Sequence, residues 1–478
     1  MDLHVSLEGR GDLTARIYRQ LLDAIIDGRL RAGERLPPSR ELARRLDVAR
    51  NTVAVAYERL LAEGFLVARV GNGTYVSEAA PVATQSRRAP SGHDVRPRPI
   101  WRTLPVGTTK PSPLYNFSVG VPDAALFPLE TWRRLVGREV RRATVGSGQY
   151  GDPAGHEPLR AAIARYAGVA RSVRAGADDV IVTQGAQQAI DLVGRVVVEP
   201  GDLVAVEEPG YRQARLVFET LGARVAPVPV DADGLDVAAI PSGVRLVYTT
   251  PSHQFPTGVP MSLARRGALL DWARAEGALV IEDDYDSEFR YSRRPLEPLQ
   301  SIDREGRVIY IGTFSKTLLP LLRIGYLVAP ASLQPALGAA KWIADRHGEI
   351  FTQAALARFL EEGLLARHVR KATRVYAERH ELVLDLLERD FGDWLEAVPS
   401  SAGLHVCARS RTGTALDIEA VVARAAERDV AVESLAGYCA KSPGQSGLVI
   451  GYGAIDASRI GPGLRRLVSA FELTAAAR

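Results

Sequence analysis

Hydrophobic positions near the start of the chain follow the spacing of an α-helix. Apolar residues recur every three or four positions over Leu13–Ile26, which predicts one amphipathic helix. Two shorter helical segments follow, one beginning at Ser39, which we expect to be its N-cap, and one beginning at Arg50. Asp47 lies in the predicted turn between them. The pattern therefore predicts a helix followed by a helix-turn-helix.

The pattern then changes to the alternation typical of strands. Apolar residues alternate over residues 65–76, on both sides of Gly71-Asn72-Gly73, and this tripeptide favours a hairpin turn with positive φ. A helix-turn-helix followed by such a hairpin predicts a winged helix. Its second short helix, beginning at Arg50, would lie in a major groove of DNA.

From Tyr115 onward, helical segments alternate with short apolar strands. The predicted strands are Val180–Thr183 and residues 203–206, 246–248, 279–281 and 308–311. This alternation predicts an α/β domain with a largely parallel sheet. Ligands in such sheets bind at the carboxyl ends of the strands.

Between these two regions the composition changes. Residues 79–112 are rich in proline and arginine and have no helical or strand periodicity, which predicts a partly extended linker. We therefore expect three segments, a DNA-binding domain at 1–78, the linker at 79–112 and an effector domain at 113–478, with a smaller C-terminal α/β subdomain beginning near residue 335.

Charge and composition refine this picture only slightly. The net charge of the 478-residue chain is +4, and residues 1–80 hold 12 arginines and 11 acidic residues, so basic character is local rather than general. Four arginines, Arg40, Arg44, Arg45 and Arg50, cluster on the predicted helix-turn-helix, and Arg69 lies on the wing. Such local cations suffice for phosphate contacts, although a solvated arginine face would give the same composition.

Other compositional features bear on location. The two cysteines, Cys407 and Cys439, cannot form a disulfide framework or a zinc site, which favours a reducing compartment. No apolar run approaches the length of a membrane span, and the first residues lack the apolar core of a signal peptide. We therefore expect a cytoplasmic protein with no membrane contact and no metal site.

One short stretch concentrates chemical groups. Residues 312–317 read Gly-Thr-Phe-Ser-Lys-Thr, a second cation follows at Arg323, and Glu-Asp-Asp-Tyr precedes at 282–285. An amine for a Schiff base, a carboxylate for a pyridine nitrogen, and hydroxyls with a cation for a phosphate are what pyridoxal 5'-phosphate (PLP) requires. Since only five of the 60 basic residues are lysines, Lys316 is conspicuous, and the stretch predicts a PLP site.

Both regions resemble a known family. Residues 36–43 (Leu-Pro-Pro-Ser-Arg-Glu-Leu-Ala) and 71–76 (Gly-Asn-Gly-Thr-Tyr-Val) resemble the two signatures of GntR-type winged helix-turn-helix domains, and the remainder is similar to fold-type I aminotransferases. Their fusion in this order resembles the MocR subfamily of bacterial transcription regulators over nearly the whole chain. The resemblance implies a PLP-binding, aminotransferase-like domain that controls binding of operator DNA.

The resemblance also assigns roles to residues. Lys316 would form the Schiff base, Tyr211 would stack on the cofactor ring, Asp283 would pair with the pyridine nitrogen, and Tyr285 would reach the phenolic oxygen. The phosphate would be received by Gly185, Ala186, Gln187, Thr313, Ser315 and Arg323. His253 would contact the ring or the substrate because of the loop in which it lies, although taken alone it is more readily explained as a structural histidine. We interpret the neighbouring acids Glu282 and Asp284 as residues that support Asp283 or are structural, with a shift of the assignment by one residue as the alternative.

On the DNA-binding side, the candidate contact residues are Ser39, Arg40, Arg50, Asn51, Thr52 and Gly73. Arg50 is best placed to read bases, and Arg40 to clamp a phosphate. Ala49 departs from the family, which often has Ser or Thr before its arginine, so one phosphate contact is expected to be missing.

The effector domain departs from working aminotransferases at two positions. Phe255 replaces an asparagine, as is typical of the regulators. Val449 aligns near the arginine that normally clamps the substrate carboxylate as a bidentate fork, which disfavours transamination.

Three hypotheses follow: a PLP-binding regulator, an active aminotransferase with an appended DNA module, and a DNA-binding protein whose large domain only dimerises. In the first, the effector is PLP itself or a small amine such as γ-aminobutyrate or taurine. We also expect a homodimer in which the DNA-binding head of one chain docks on the large domain of the other.

Overall fold

The computed structural model describes residues 12–69, 71–79, 92, 94–104, 113–141, 149–291, 297–413, 416–441 and 444–476. The chain divides into two compact units, Met1–Arg102 and Thr103–Arg478. Most of the predicted linker lies outside the described residues. Within its described part, the chain forms a short helix at Ile100–Thr103, where the sequence pattern predicted no helix.

The first unit is a winged helix. Its elements are α1 (Leu13–Ile26), α2 (Ser39–Arg45), α3 (Arg50–Ala62), β1 (Leu66–Arg69) and β2 (Gly73–Val76). The short helix α4 (Ile100–Thr103) lies at the boundary of the two units. Helices α1 to α3 and the hairpin share one core, in which Ile17, Leu42, Val53 and Leu60 are buried. The periodicity placed the apolar faces of these helices correctly, and the predicted fold class of this unit is confirmed.

The caps of the two short helices differ from expectation. Helix α2 begins at Ser39 itself, and its N-cap is Pro38, which offers no side-chain hydrogen bond. The prediction that Ser39 caps this helix is therefore wrong, because the backbone of Ser39 is already helical. The N-cap of α3 is Ala49, which likewise makes no side-chain hydrogen bond.

The wing has the predicted turn. Strands β1 and β2 pair antiparallel, from Leu66 opposite Val76 to Arg69 opposite Gly73. Gly71 and Gly73 have φ of 75° and 109°, backbone conformations that cost glycine little and other residues more.

The second unit is an α/β domain built on a large sheet. Its remaining strands are β3 (Tyr115–Asn116), β4 (Val180–Thr183), β5 (Leu203–Glu208), β6 (Arg224–Asp231), β7 (Gly234–Leu235), β8 (Val244–Thr249), β9 (Leu279–Asp284), β10 (Val308–Thr313), β11 (Gly325–Val328), β12 (Leu395–Ala397), β13 (His405–Ser410), β14 (Val430–Ala431), β15 (Glu433–Ser434) and β16 (Gly447–Gly451). Its helices are α5 (Leu129–Arg141), α6 (Glu157–Arg171), α7 (Ala186–Val197), α8 (Arg212–Thr220), α9 (Leu263–Glu276), α10 (Leu299–Ile302), α11 (Gln334–Asp345), α12 (Ile350–Glu361), α13 (Leu364–Phe391), α14 (Ile418–Ala426) and α15 (Ala457–Ala476).

The large sheet has the order β4-β11-β10-β9-β8-β5-β6-β7. Strands β10, β9, β8, β5 and β6 run parallel, whereas β11 is antiparallel to both of its neighbours. Several strands extend further than the apolar runs predicted. Strand β9 continues through Asp284 and β10 through Thr313, so the polar motif residues close these strands instead of following them.

A smaller sheet lies toward the C-terminus, with the order β12-β13-β16-β15. Helices α13 and α15 pack on it around Tyr376, Leu387, Leu464 and Phe471. Helices α11 and α12 instead contribute to the apolar layers of the large sheet. The chain near residue 335 therefore still packs with the large sheet.

None of the helices in the described part of the chain is both long enough and apolar enough to cross a membrane.

Candidate functional site

A cavity of about 660 Å³ opens at the carboxyl ends of the parallel strands, a volume typical of small-molecule sites. Its lining includes eight of the predicted cofactor residues: Ala186, Gln187, Tyr211, Asp283, Tyr285, Thr313, Ser315 and Arg323, together with Lys316. These residues come from segments more than 130 positions apart in the sequence. The sheet brings them together because the polar ends of parallel strands meet at one edge.

Lys316 lies just after β10, with its amine inside the cavity. Its Nζ donates to the carbonyl oxygen of Gly120 at 2.6 Å. Burial lowers the pKa of Lys316, while Asp286 and Asp283 oppose the shift. Gly120 has φ of 71°, and a Cβ there would lie 2.7 Å from Nζ, so glycine is required for this close approach. A lowered pKa favours the free amine, which is the form that reacts with an aldehyde.

Asp283 presents one unsatisfied carboxylate oxygen. The Tyr248 hydroxyl donates to Oδ2 at 2.7 Å, whereas buried Oδ1 has no hydrogen-bond partner among the described residues. Burial raises the pKa of Asp283 to about 7. A buried carboxylate with a vacant acceptor fits a cationic N–H donor, because such a partner would remove the cost of burying the charge.

The two acids beside Asp283 point away from the cavity, as alternation along a strand requires. Glu282 accepts from the backbone N–H groups of Leu299 at 2.9 Å and Gln300 at 3.0 Å. Asp284 accepts from Arg171 Nε at 2.7 Å, and the guanidinium holds the pKa of Asp284 below its usual value against burial. Both acids make contacts outside the cavity, and of the three neighbouring acids only Asp283 lines it, which favours Asp283 as the partner of a pyridine nitrogen.

The opposite end of the cavity is suited to a phosphate. Helix α7 begins at Ala186 after Gly185, its N-cap, which has φ of 79°, and the N-terminus of a helix presents free N–H groups to anions. Arg323 lies against Gly185, where a Cβ would come within 3.0 Å of the guanidinium. The hydroxyl of Thr313 lies 3.1 Å from that of Ser315. Gly185 itself is not among the lining residues.

Aromatic rings form one wall. The ring centroid of Phe255 lies 5.6 Å from that of Tyr211 and 5.2 Å from that of Tyr438, with the rings nearly perpendicular in both pairs. Phe255 is also 5.6 Å from Tyr285. Tyr211 is therefore held by neighbouring rings and lines the cavity.

His253 lies behind this wall and is absent from the lining. It is buried, its Nδ1 is 3.0 Å from Asp286 Oδ1 and 2.9 Å from the hydroxyl oxygen of Tyr285, and its Nε2 is 3.1 Å from the Ser400 hydroxyl. These contacts make His253 a residue that holds Tyr285 in place. Direct contact with a cofactor ring stays a prediction.

Val449 is fully buried on strand β16, opposite Cys407 and Glu433 of the adjacent strands. It packs in an apolar cluster with Val259 and Leu435. The position that the resemblance assigned to a carboxylate-binding arginine therefore lies in an apolar cluster.

Glu433 and Tyr438 are among the lining residues that sequence reasoning missed. They follow Lys316 by more than 110 positions and lie on β15 and the short 3-10 segment Leu435–Tyr438. Neither element is long enough to show a periodic pattern, so the sequence carries no signal for them.

The donor set fits PLP. The orphan oxygen of Asp283, the buried amine of Lys316, and the helix N-terminus beside Arg323 match a protonated pyridine, an aldehyde and a phosphate respectively. All three lie in one cavity.

The predicted DNA-contact residues of the winged helix are mostly exposed. Arg40, Arg50, Asn51 and Gly73 are exposed, and Ser39 and Thr52 are half-buried. Arg40 and Arg50 make no ion pair with any described residue, whereas Arg45 pairs with Glu41 and Arg69 lies 3.6 Å from Glu78. Arg40 on α2 and Arg50 on α3 are therefore available for contacts with phosphates or bases.

Comparison with known families covers both units. A family model described as aminotransferase class I and II matches residues 112–416, and one described as bacterial regulatory proteins, gntR family, matches residues 13–76. Enzymes of the first class use PLP, and the cofactor of this domain is PLP.

Individual proteins give the same assignment. A probable rhizopine catabolism regulatory protein, MocR, of Rhizobium meliloti is 38% identical over 468 residues, covering 95% of this chain and 93% of its own. The pyridoxine biosynthesis transcriptional regulator PdxR of Corynebacterium glutamicum is 32% identical, covering 93% and 92%.

Among solved structures, the α-aminoadipate aminotransferase LysN of Thermus thermophilus, complexed with N-(5'-phosphopyridoxyl)-L-leucine, aligns with a TM-score of 0.70 and 31% identity, over 76% of this chain and 93% of its own. The chain has a gntR-type winged helix followed by an aminotransferase-like domain, and it matches a MocR regulator over nearly the whole length of both proteins. This chain therefore belongs to the MocR subfamily of GntR-type transcription regulators.

Proposed function

We propose that the large unit senses PLP or a small amine in the cavity around Lys316, and that this event controls operator binding by the winged helix. One observation carries the proposal: the vacant, buried oxygen of Asp283 shares a cavity with the amine of Lys316. The same chain bears exposed arginines on a helix-turn-helix. A cofactor site and a DNA-binding domain in one polypeptide are the two parts that a ligand-controlled regulator needs.

Six side chains of the cavity lining have a role in this proposal. Lys316 supplies the amine, Asp283 accepts a hydrogen bond from the pyridine nitrogen, and Tyr211 packs on the ring. Arg323, Thr313 and Ser315 hold the phosphate with the first N–H groups of α7. When bound, PLP supplies an electron-withdrawing pyridinium ring and an aldehyde that reacts with amines.

Sensing is favoured over catalysis by Val449. A working aminotransferase needs a cation to orient the substrate carboxylate, and Val449 lies within an apolar cluster. The alternative, an active aminotransferase with a DNA module, predicts steady turnover of an amino donor by the purified protein. We expect turnover below detection.

The effector remains one of two kinds. PLP itself is favoured by the similarity to a regulator named for pyridoxine biosynthesis. A small amine is favoured by the similarity to a regulator named for rhizopine catabolism. We also propose that the protein works as a homodimer in the cytoplasm, with the head of one chain docked on the partner's large domain. A two-fold dimer would match an operator of paired half-sites, and light scattering would show a monomer if this part is wrong.

The experiment that tests the cofactor site is a titration of the unloaded full-length protein with PLP, followed by visible absorbance. Lys316→Ala should abolish the absorbance band of the protein-bound cofactor and leave the far-ultraviolet circular dichroism unchanged. The matched control is Lys371→Ala, because Lys371 is exposed on α13, and it should retain the band. A band of undiminished intensity in Lys316→Ala would reject the assignment.

A further inference from the structure

An acid lies in the cavity close to the position where the aminotransferase pattern expects a cation. Glu433 on β15 is paired directly with Val449 on β16, and it lines the cavity that contains Lys316. Val449 itself is fully buried. The strand pair therefore has the apolar Val449 at the position that aminotransferases use to bind the substrate carboxylate, and the acidic Glu433 directly beside it.

The Glu433 carboxylate is fixed but not saturated. Its Oε1 accepts from the backbone N–H of Val119 at 2.9 Å, and its Oε2 accepts from the Tyr438 hydroxyl. A carboxylate has about four acceptor sites, so each oxygen keeps a lone pair that no hydrogen bond from a described residue occupies. The next residue, Gly120, accepts from Lys316 Nζ, which ties the position of the acid to that of the amine.

The aromatic wall adjoins the same acid. Tyr438, which holds Glu433, has its ring centroid 5.2 Å from that of Phe255, and Phe255 lies 5.6 Å from Tyr211. Ring faces attract cations and pack well on C–H groups, and they offer nothing to a carboxylate. An acid next to aromatic rings therefore suits a ligand group that donates a hydrogen bond or carries a positive charge.

Two arginines line the cavity, and their positions matter. Arg323 lies beside Gly185 at the helix N-terminus, on the side assigned to the phosphate. Arg212 is exposed at the start of α8, where water competes for it. Neither Arg323 nor Arg212 therefore takes over the role that a buried arginine at position 449 would have.

We propose that Glu433, with the rings of Phe255 and Tyr438, binds the distal end of an amine effector whose distal group is a hydrogen-bond donor, a hydroxyl or an ammonium, and that it discriminates against amino acids. This inference rests on the proposed function, since it concerns the effector of the same PLP site. If the distal group of the ligand were a carboxylate, it would lie next to the carboxylate of Glu433. Like charges at close range are strongly disfavoured.

Three compounds that share one four-carbon amine and differ only at the distal end make the test. Aminobutanol ends in a hydroxyl, putrescine in an ammonium and γ-aminobutyrate in a carboxylate. Their dissociation constants are measured by calorimetry on PLP-loaded, full-length protein. We expect aminobutanol or putrescine to bind at least about tenfold more tightly than γ-aminobutyrate, the scale of one charge-assisted hydrogen bond. The order of the first two separates a hydroxyl from an ammonium site.

Two variants identify the residue responsible. Glu433→Gln keeps the size of the side chain and one acceptor oxygen, and it should reduce the preference to within about threefold. Glu419→Gln is the matched control, because Glu419 lines the same cavity but is exposed; it should leave the preference unchanged. PLP absorbance of both variants should equal that of the wild type.

Several results would overturn the inference. Tightest binding of γ-aminobutyrate, particularly if Arg212→Ala abolishes it, would show that the exposed arginine anchors an acid. Equal loss of preference in Glu419→Gln would remove the specific role of Glu433. Absence of binding by all three compounds to protein that retains its PLP absorbance would overturn this inference alone, whereas absence of PLP absorbance in the wild type would overturn the proposed function as well.

Discussion

Replacing Asp283 by Asn separates the charge of this residue from its shape. The side chain is 4% exposed, and burial raises its pKa from 3.8 to about 7. The amide oxygen of Asn can still accept from Tyr248, whose hydroxyl lies 2.7 Å from Oδ2. The substitution therefore removes a titrating group and preserves its main contact.

The size of the effect follows from the pKa. Because the pKa is raised in the folded state, the folded protein keeps a proton that the unfolded chain releases between about pH 4 and pH 7, and stability is lost as the pH rises through this window. Each pKa unit corresponds to about 1.4 kcal/mol. Without PLP, Asp283→Asn should therefore be more stable than the wild type by about 2 to 4 kcal/mol at pH 8, and by only about 1 kcal/mol at pH 4.5.

Urea unfolding followed by tryptophan fluorescence provides the assay. Four of the five tryptophans lie in the large unit, where Trp132 and Trp394 pack in its cores, whereas Trp101 is exposed in the first unit. Most of the signal therefore reports on the large unit. Addition of PLP should stabilise the wild type and stabilise the variant much less, since the variant cannot offer a carboxylate to the pyridine nitrogen. A variant that is destabilised equally at both pH values, with unchanged stabilisation by PLP, would refute the reasoning.

Three further predictions follow from single side chains. Arg40→Ala should weaken binding to operator and random DNA alike and lower the slope of log affinity against log salt concentration by about one. Arg50→Ala should instead strongly reduce the ratio of operator affinity to random-DNA affinity. If both variants lose affinity uniformly, residues other than Arg50 recognise the bases. Arg171→Met should lower the free energy of unfolding of the large unit by about 3 to 5 kcal/mol, because it leaves Asp284 charged and buried; a loss below 1 kcal/mol in urea unfolding would contradict this. Ala49→Ser should raise the melting temperature of the winged helix by adding the N-cap that α3 lacks, worth about 0.5 to 2 kcal/mol, and calorimetry showing no increase would argue against it.

The fold was largely accessible from the sequence because its signals are local. The apolar period of Leu13–Ile26 and the glycines of the wing each depend on a few adjacent residues. Strand β6, Arg224–Asp231, escaped prediction because it contains two prolines and only two buried positions. The cap at Ser39 was misassigned because the sequence alone does not distinguish a serine at the N-cap from a serine one residue later, at the first helical position.

The candidate site was accessible to the extent that its residues lie in compact motifs. Lys316 and Asp283 occur in polar clusters that end apolar strands, and such clusters are visible in one dimension. Glu433 was not accessible, since it becomes part of the cavity only when β15 pairs with β16. His253 was assigned to the cofactor, yet its nearest partners are Asp286 and Tyr285, an arrangement that depends on packing and leaves no mark in the sequence.

The central claim, that the cofactor site controls the DNA-binding domain, is tested most directly by operator affinity. Fluorescence anisotropy of labelled operator DNA is measured with the full-length protein, without PLP and with saturating PLP, for the wild type and Lys316→Ala. We predict that PLP changes the operator dissociation constant of the wild type by about fivefold or more, the usual scale of coupling between two sites, and leaves that of the variant unchanged. The account would be contradicted if the wild type had equal operator affinity without PLP, with PLP, and with PLP plus each of aminobutanol, putrescine and γ-aminobutyrate.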